Sequence, residues 1–431
     1  MLGAADAARG SCPSMDTAAS RAYLPVMTSV PMVRFLDRTT PPHIVTLTLM
    51  SGIAAMNMSV FLPSLPVMAA HFGTDYAVMQ LSVSLYLAAT AVLQIVIGPL
   101  SDRYGRRPVT LISMAIFLVA TLGCLFAPNV TVFLICRMIQ ASVAVGIVLS
   151  RAIVRDMVPQ NEAASMIGYV TMGMALVPMV APMIGGGLDE LFGWQAVFVF
   201  LLLSGGAVTW LIWSDQGETA QHTAATLDAQ LRDYPELFAS PRFWGYSLAA
   251  AFASGAFFAF LGGGPYAAVE IYGMSPFWAG LAFGAPAIGY ATGNGLSGRF
   301  SIRVGIDRMM TIGVLVLCGG MTVMVLIALT GASHPALFFG FVTFVGLGNG
   351  MIMPNATAGM LSVRPHIAGT ASGIGGAIMI GGGAALSVLA GVVLEDAATS
   401  LPLQLLMLAT SYICLLCVLY VLYRARQIAR R

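Results

Sequence analysis

Few residues in this 431-residue chain can do chemistry, because charged side chains make up 9% of it and hydrophobic ones 58%. The densest cluster is "GPLSDRYGRRPV", Gly98 to Val109, where Asp102 stands among Arg103, Arg106 and Arg107. One acid and three guanidinium groups can exchange ion pairs with neighbouring acids or helix-end carbonyls. Gly98 allows close helix approach there. A plainer use of the same arginines is to hold the loop on one side of a membrane. The second candidate is Arg137 in "CRMIQASVAVGIVLSRAIVRD", with Gln140 one helical turn further on and so on the same face. Arg137 is the only charged residue placed well inside an apolar run. An arginine at membrane depth costs on the order of several kcal/mol and is by default functional, although snorkelling or tying helices together would also use it.

Hydrolytic, redox and metal chemistry find no comparable residues. The five histidines are scattered, and the six cysteines (Cys12, Cys124, Cys136, Cys318, Cys414 and Cys417) mostly sit in apolar runs without ligand spacing. They read as small buried hydrophobes, and no nucleophile, base or metal set emerges, so an enzyme is not expected. Glycine is dense in "GLGNGMIMPNATAG" and "GTASGIGGAIMIGGGAALSVLAG", but lysine is absent, so neither stretch is a phosphate loop. Neither nucleotide nor nucleic acid is an expected partner, and no cofactor is expected.

The elements that position these residues must lie in a bilayer. A mean hydropathy of +0.86 excludes an ordinary soluble domain. Repeated apolar runs of roughly 20 residues fit helices rather than barrel strands. Twelve spans are predicted, near 43–68, 77–98, 109–127, 130–152, 163–186 and 194–213, then 242–264, 276–297, 309–330, 335–355, 367–392 and 401–423. The chain therefore divides into a tail without ordered structure (1–42), a first six-helix half (43–213), a linker (214–241), a second half (242–423) and a basic tail (424–431). No signal peptide is recognisable in the first 40 residues. Arginine collects on one side, at 103, 106, 107, 151, 155, 232, 242, 299, 303, 308, 364 and in the last eight residues. Loops on the other side carry His71, Asp75, Asp189, Glu190, Glu270, His334, Glu395 and Asp396 without arginine. Positive charge is retained inside, so both termini and the linker are predicted to be cytoplasmic, which requires an even number of crossings. The halves echo each other: "RYGRR" has a degraded partner in "RVGIDR", with Arg103 and Arg303 offset by 303 − 103 = 200 positions, and Gly105 and Gly305 likewise. A duplicated six-helix half is the signature of one transporter architecture with its site at midplane between the halves.

Over residues 43 to 423 the chain resembles the major facilitator superfamily, and most closely its Bcr/CflA-type drug/proton antiporters. "GPLSDRYGRRPV" resembles the signature between the second and third helices of that superfamily. The resemblance implies a gating role for Gly98, Asp102, Arg103, Gly105, Arg106 and Arg107, with Asp102 accepting from a helix N-terminus. "RAIVRD", Arg151 to Asp156, also resembles the family and could pair with that motif. "GYVTMGMALVPMVAPMIGGG" resembles the antiporter-type fifth helix, which implies a pliable, sealing helix built on Pro178, Pro182 and Gly186, and "GWQAVF" resembles the entry to the sixth. The implied protein is an inner-membrane exporter of small amphipathic compounds, surrounded by lipid, monomeric and driven by the proton gradient.

"FLPSLP" departs from the family's "YLPALP" segment in an informative way. An aspartate is expected three residues before its first leucine-proline, and Ser59 stands there, with Asn57 two residues earlier. Serine cannot carry a proton in the working range of a membrane carboxylate. No acid falls deep in a span; the nearest is Glu270, at the outer end of the seventh. Three routes stay open: protonation at Glu270 or at an acid such as Asp102, coupling through the substrate's own charge, or an uncoupled facilitator, with uptake or sensing as alternative uses of the fold. Asn57, Gln80, Tyr86, Gln94, Arg137 and Gln140 are the first half's polar or amphipathic residues within spans. An aromatic, methionine- and amide-rich cavity suits broad recognition.

Overall fold

The computed structural model describes residues 33–158, 160–220, 235–364, 368–395 and 397–429, and among them the regular structure is helical throughout. In the first half, α1 (Ile44–Ser59) and α2 (Leu65–Phe72) are successive pieces of one apolar run, followed by α3 (Tyr76–Tyr104) and α4 (Arg106–Leu125). Then come α5 (Val130–Gln140), α6 (Val145–Met157), α7 (Gln160–Phe192) and α8 (Gln195–Asp215). The second half holds α9 (Pro241–Tyr266), α10 (Pro276–Ala282), α11 (Ala285–Val304), α12 (Ile306–Leu329), α13 (Pro335–Val363), α14 (Ala368–Leu394) and α15 (Leu401–Ala429).

The breaks have local causes. Between α1 and α2 a tight turn at Leu62–Ser64 carries Pro63, and Pro66 opens α2. A proline supplies no N–H and its ring collides with the carbonyl four residues back, and two of them three residues apart weaken the helix where it breaks. Between α5 and α6 the run tightens to a 3-10 turn at Ala141–Ala144. Asn129 starts α5 by accepting the amide of Val132 at 3.0 Å, a side-chain cap on an otherwise unpaired donor.

Ten helices or helix pairs are long and apolar enough to cross a membrane among the described residues. The other two expected spans, 163–186 and 276–297, fall on the 33-residue α7 and on the α10–α11 pair, which breaks at residues 283–284 ahead of Pro286. Of the expected tails and linker, residues 1–32, 221–234 and 430–431 lie outside the described residues. Residues 33–42 run as turns held on the end of α8: Leu36 and His43 donate their amides to the Asp215 carboxylate at 2.6 and 2.8 Å, and Thr46 its hydroxyl at 2.6 Å. α15 continues through the predicted basic tail to Ala429.

Within the halves, α1 packs on α6, α7 and α8, and α9 packs on α13, α14 and α15. The halves meet along α3–α14 and α7–α10. Their closest contacts gather toward the end of the bundle that holds Trp194. There Tyr76 donates to the carbonyl of Gly262 at 2.8 Å, and a β-carbon on Gly186 would strike the carbonyl of Pro276.

Candidate functional site

At the opposite end, α3 stops at Tyr104 because Gly105 adopts φ +95° and ψ 149°, a conformation open only to glycine, and α4 starts one residue later. This turn brings a charge network together. Arg106, 7% exposed, pairs through Nη2 with Asp102 at 2.5 Å and through Nε with Asp156 at 3.0 Å, and donates from Nη1 to Ser101 Oγ. The pairing of "RAIVRD" with the motif is thus made by its final aspartate. Asp102, expected to accept from a helix N-terminus, instead takes a guanidinium one turn along its own chain. Glu218, just past α8, takes the N-terminus: its Oε1 accepts the amide of Arg106 at 2.8 Å and its Oε2 that of Arg107 at 3.2 Å. A carboxylate there satisfies unpaired donors and the positive end of the helix dipole together. Arg107 closes the loop by donating to the carbonyls of Gln216 at 2.7 Å and Trp213 at 2.9 Å. Arg103 is exposed and stacks on Tyr104 at 5.3 Å. Among the described residues none of these side chains reaches the second half. Gly98 does not make the close approach expected of it: a β-carbon there would meet nothing within 4 Å.

The second assembly surrounds Arg137, which is fully buried. Its Nη1 donates to Asn57 Oδ1 at 3.0 Å and to Gln140 Oε1 at 2.5 Å, and its Nη2 to the carbonyl of Asn57 at 3.3 Å. The guanidinium carbon lies 4.1 Å from the ring centre of Phe61 and 4.9 Å from that of Tyr86. Gln140 is fixed in turn by donating to Thr121 Oγ1 at 2.8 Å. Every partner is neutral. A buried cation normally pairs with an acid, and here two amides and two ring faces hold it, the rings contributing roughly 0.5–2 kcal/mol each. Arg137 Nε and Asn57 Nδ2 keep no partner, so the site retains two free donors and no negative charge.

The other predicted residues go elsewhere. Ser59 is buried and donates to the carbonyl of Ala55 at 3.0 Å, within its own helix. Gln80 sits in the seam between the halves: its Nε2 donates to Ser387 Oγ at 2.7 Å and to the Ser387 carbonyl at 2.6 Å. A β-carbon on Gly262 or Gly391 would collide with that amide, so the two glycines form its notch. Glu270 is exposed in a wide turn after α9. Pro178 and Pro182 both lie in α7; the side chain of Pro178 is outside the described residues, and Pro182 is buried. Sequence reasoning missed Glu218, Thr121 and Phe61. For Glu218 the available signal was an isolated acid a few residues beyond a helix end.

The first and second halves thus repeat one helical plan, and the Gly105 turn recurs at Gly305 with φ +89°. A family model described as Major Facilitator Superfamily matches residues 47–388 and again 265–427. The chain belongs to the major facilitator superfamily. It is 31% identical over 330 residues to a chloramphenicol resistance protein of Pseudomonas aeruginosa, covering 75% of this chain and 77% of that one. It is 29% identical over 351 residues to multidrug resistance protein D of Escherichia coli strain K12, covering 80% and 87%. A bicyclomycin resistance protein homolog of Haemophilus influenzae is 28% identical over 364 residues, covering 83% and 91%. These relatives agree with the Bcr/CflA-type motifs. In three dimensions the chain is similar to a D-xylose-proton symporter, with TM-score 0.67 and 14% identity, over 88% of this chain and 96% of that one. A bacterial homolog of the human lysosomal transporter Spinster, inward-facing and occupied, gives TM-score 0.65 and 18% identity, over 89% and 96%. As a superfamily member with ten apolar crossings among its described residues, the chain is a multi-pass protein of the inner membrane.

Proposed function

We propose that this protein exports small amphipathic compounds, including antibiotics, across the inner membrane by alternating access in exchange for protons. It works as a transporter and not as an enzyme, with twelve crossings in two halves, both termini and the linker in the cytoplasm, and one chain as the working unit. The Gly105 turn then faces the cytoplasm and the Trp194 end faces outward. The observation that carries the reading is the difference between those ends. At the Trp194 end Gly186 meets the backbone of the other half, whereas at the Gly105 end the helix face at Gly98 looks into open space. This is what a transporter open toward the cytoplasm requires. The names of the chloramphenicol, bicyclomycin and multidrug resistance relatives support amphipathic drugs as the cargo.

In this reading the arginine network keeps the cytoplasmic ends of α3, α4 and α6 moving as one body, and Arg137 polarises the centre of the first half. Its acid-free surroundings favour a second reading in which Ser59 has removed the usual proton site and transport is uncoupled. Both are tested with the purified protein and with cells. A susceptibility panel in an efflux-deficient host should show raised tolerance to at least one amphipathic drug, lost in Arg137→Ala; unchanged tolerance to the whole panel defeats export. Drug addition to detergent-solubilised protein should release protons, and its failure to do so leaves the facilitator.

A further inference from the structure

The carboxylates at the helix ends of this protein are not treated alike, and only Asp189 and Asp215 among the described ones are buried. Asp215 receives two amides and a hydroxyl, Glu218 receives backbone amides, and Asp102 and Asp156 share Arg106. Asp189 is the exception. It is 7% exposed, no arginine pairs with it, and its Oδ2 has no hydrogen-bond partner. The side chain that acts on it is Ser64, in the break between α1 and α2, whose hydroxyl lies beside the carboxyl without well-formed hydrogen-bond geometry. Burial pushes the Asp189 carboxyl above the usual carboxylate range; the Ser64 hydroxyl pulls it back, and the neighbouring Glu190 pushes it further up.

Its position gives that proton a use. Asp189 lies beyond the predicted end of its span at 186, four residues after Gly185, which stands against the carbonyl of Val60. The two share one face of α7, turned to the α1–α2 break. Glu190 follows Gly186 by the same spacing on the adjoining face, turned to the second half: Gly186 stands against the Pro276 carbonyl, and Glu190 Oε2 accepts the amide of Phe277 at 3.3 Å. The last turn of α7 is therefore wedged between the broken first helix and α10. Charged groups on the surrounding elements are few. α1 and α10 carry none, the charged residues of α6 (Arg151, Arg155, Asp156), of α11 (Arg299, Arg303) and of α8 (Asp215) are at the opposite end of the bundle, and the start of α8 offers only its cap residue Trp194, whose Nε1 is unpaired, and Gln195. α2 carries His71, exposed, with its ring 5.2 Å from Trp194.

We propose that Asp189 is the protonation site of the outer seal. It holds a proton on its carboxyl while α7 and α10 are closed together, and when the seal opens the O–H bond breaks, the proton passes to outside water and a hydrated carboxylate remains. Closing reverses the step and takes one proton from the outer side. The sign follows from the raised value in the closed form: the closed form gains stability as pH falls, and loses it as pH rises through the closed-state pKa. This rests on the export reading and sets the pH dependence of outward opening; since the proton is taken from and returned to the outer side, it does not itself drive export.

The test reads conformation and not transport. Spin labels at Leu191 and Leu281, exposed residues flanking the seam, are placed on a variant lacking the six cysteines, and their separation is measured from about pH 4 to about pH 8. The short-distance population should grow as pH falls, its ratio to the long one changing about tenfold per unit separating the two states' pKa values. Asp189→Asn should stay closed at every pH, while Asp189→Glu and His71→Gln keep the response. Should Asp189→Asn fail to fold, Ser64→Ala serves in its place and must move the midpoint upward. Two populations that ignore pH, or a response that survives Asp189→Asn, overturn the assignment while leaving alternating access standing. A single distance under all conditions overturns both.

Discussion

The turns at Gly105 and Gly305 have the same backbone in different company. Each glycine has ψ 149° and a φ near +90°, and each amide bonds the carbonyl four residues back, Ser101 at 3.0 Å and Ser301 at 2.9 Å. Around Gly105 the space is full: a β-carbon would run into the Glu218 carboxylate, and Arg106 has two acids of its own. Around Gly305 a β-carbon would meet nothing within 4 Å, and Arg303 and Arg308 make no ion pair among the described residues. Asp307 takes the first turn of α12 there and accepts the Tyr246 hydroxyl at 2.8 Å. The duplicated unit kept its turn in both halves and built a charge network on only one. Backbone geometry alone makes a hinge; the first half has added a clamp that fixes its helix ends to the linker.

The contrast reaches the membrane interior, where α5 buries Arg137 and the second half's α13 has no charged side chain at all. Arg137→Ala is accordingly expected to have the largest effect. It strands Asn57 and Gln140, empties the space beneath Phe61 and Tyr86, and should cost about 3–5 kcal/mol with drug tolerance reduced to background. Thermal unfolding in detergent and a susceptibility assay measure the two consequences; if both stay at wild-type levels, the buried arginine is a passenger. The paired substitutions Gly105→Ala and Gly305→Ala come next. Both force alanine into glycine-only backbone at about 1–3 kcal/mol, and the first also drives a methyl into Glu218. The expected result is transport lost at least about tenfold further for Gly105→Ala than for its partner, and equal losses would erase the asymmetry. Glu218→Gln keeps the shape of the cap and removes its charge, worth about 0.3–1 kcal/mol at an exposed helix start, so a drug-efflux rate a few fold lower is predicted. Arg303→Ala should change efflux by less than about twofold, in keeping with an exposed charge that has no ion-pair partner among the described residues.

Much of the helical plan was legible because a bilayer imposes length and apolarity on each crossing. Predicted spans at 109–127 and 130–152 lie within a few residues of α4 and of the α5–α6 pair. Asp102 with Arg106, and Arg137 with Gln140, were legible as well, since helical spacing alone puts them side by side. What escaped depends on distant chain meeting at one place. Glu218 is 112 positions from Arg106. Phe61 meets the guanidinium from the break after α1, and Gln80 leaves the centre for the notch that Gly262 and Gly391 leave for it in the other half. Pattern along the chain predicts what one helix presents to its neighbours, and it is silent on which neighbour arrives.

Gly98 shows what that means for mutation. Its flank is vacant, so a larger residue there meets no obstacle during folding and the protein would reach the membrane in normal amounts. In the proposed cycle the obstacle would appear when the other half swings in. Such a substitution behaves as a doorstop: harmless to the resting molecule, it prevents a single movement and stalls the machine in the position seen here. Stability screens would pass it, and only a measurement that follows the protein through a complete turnover would find it.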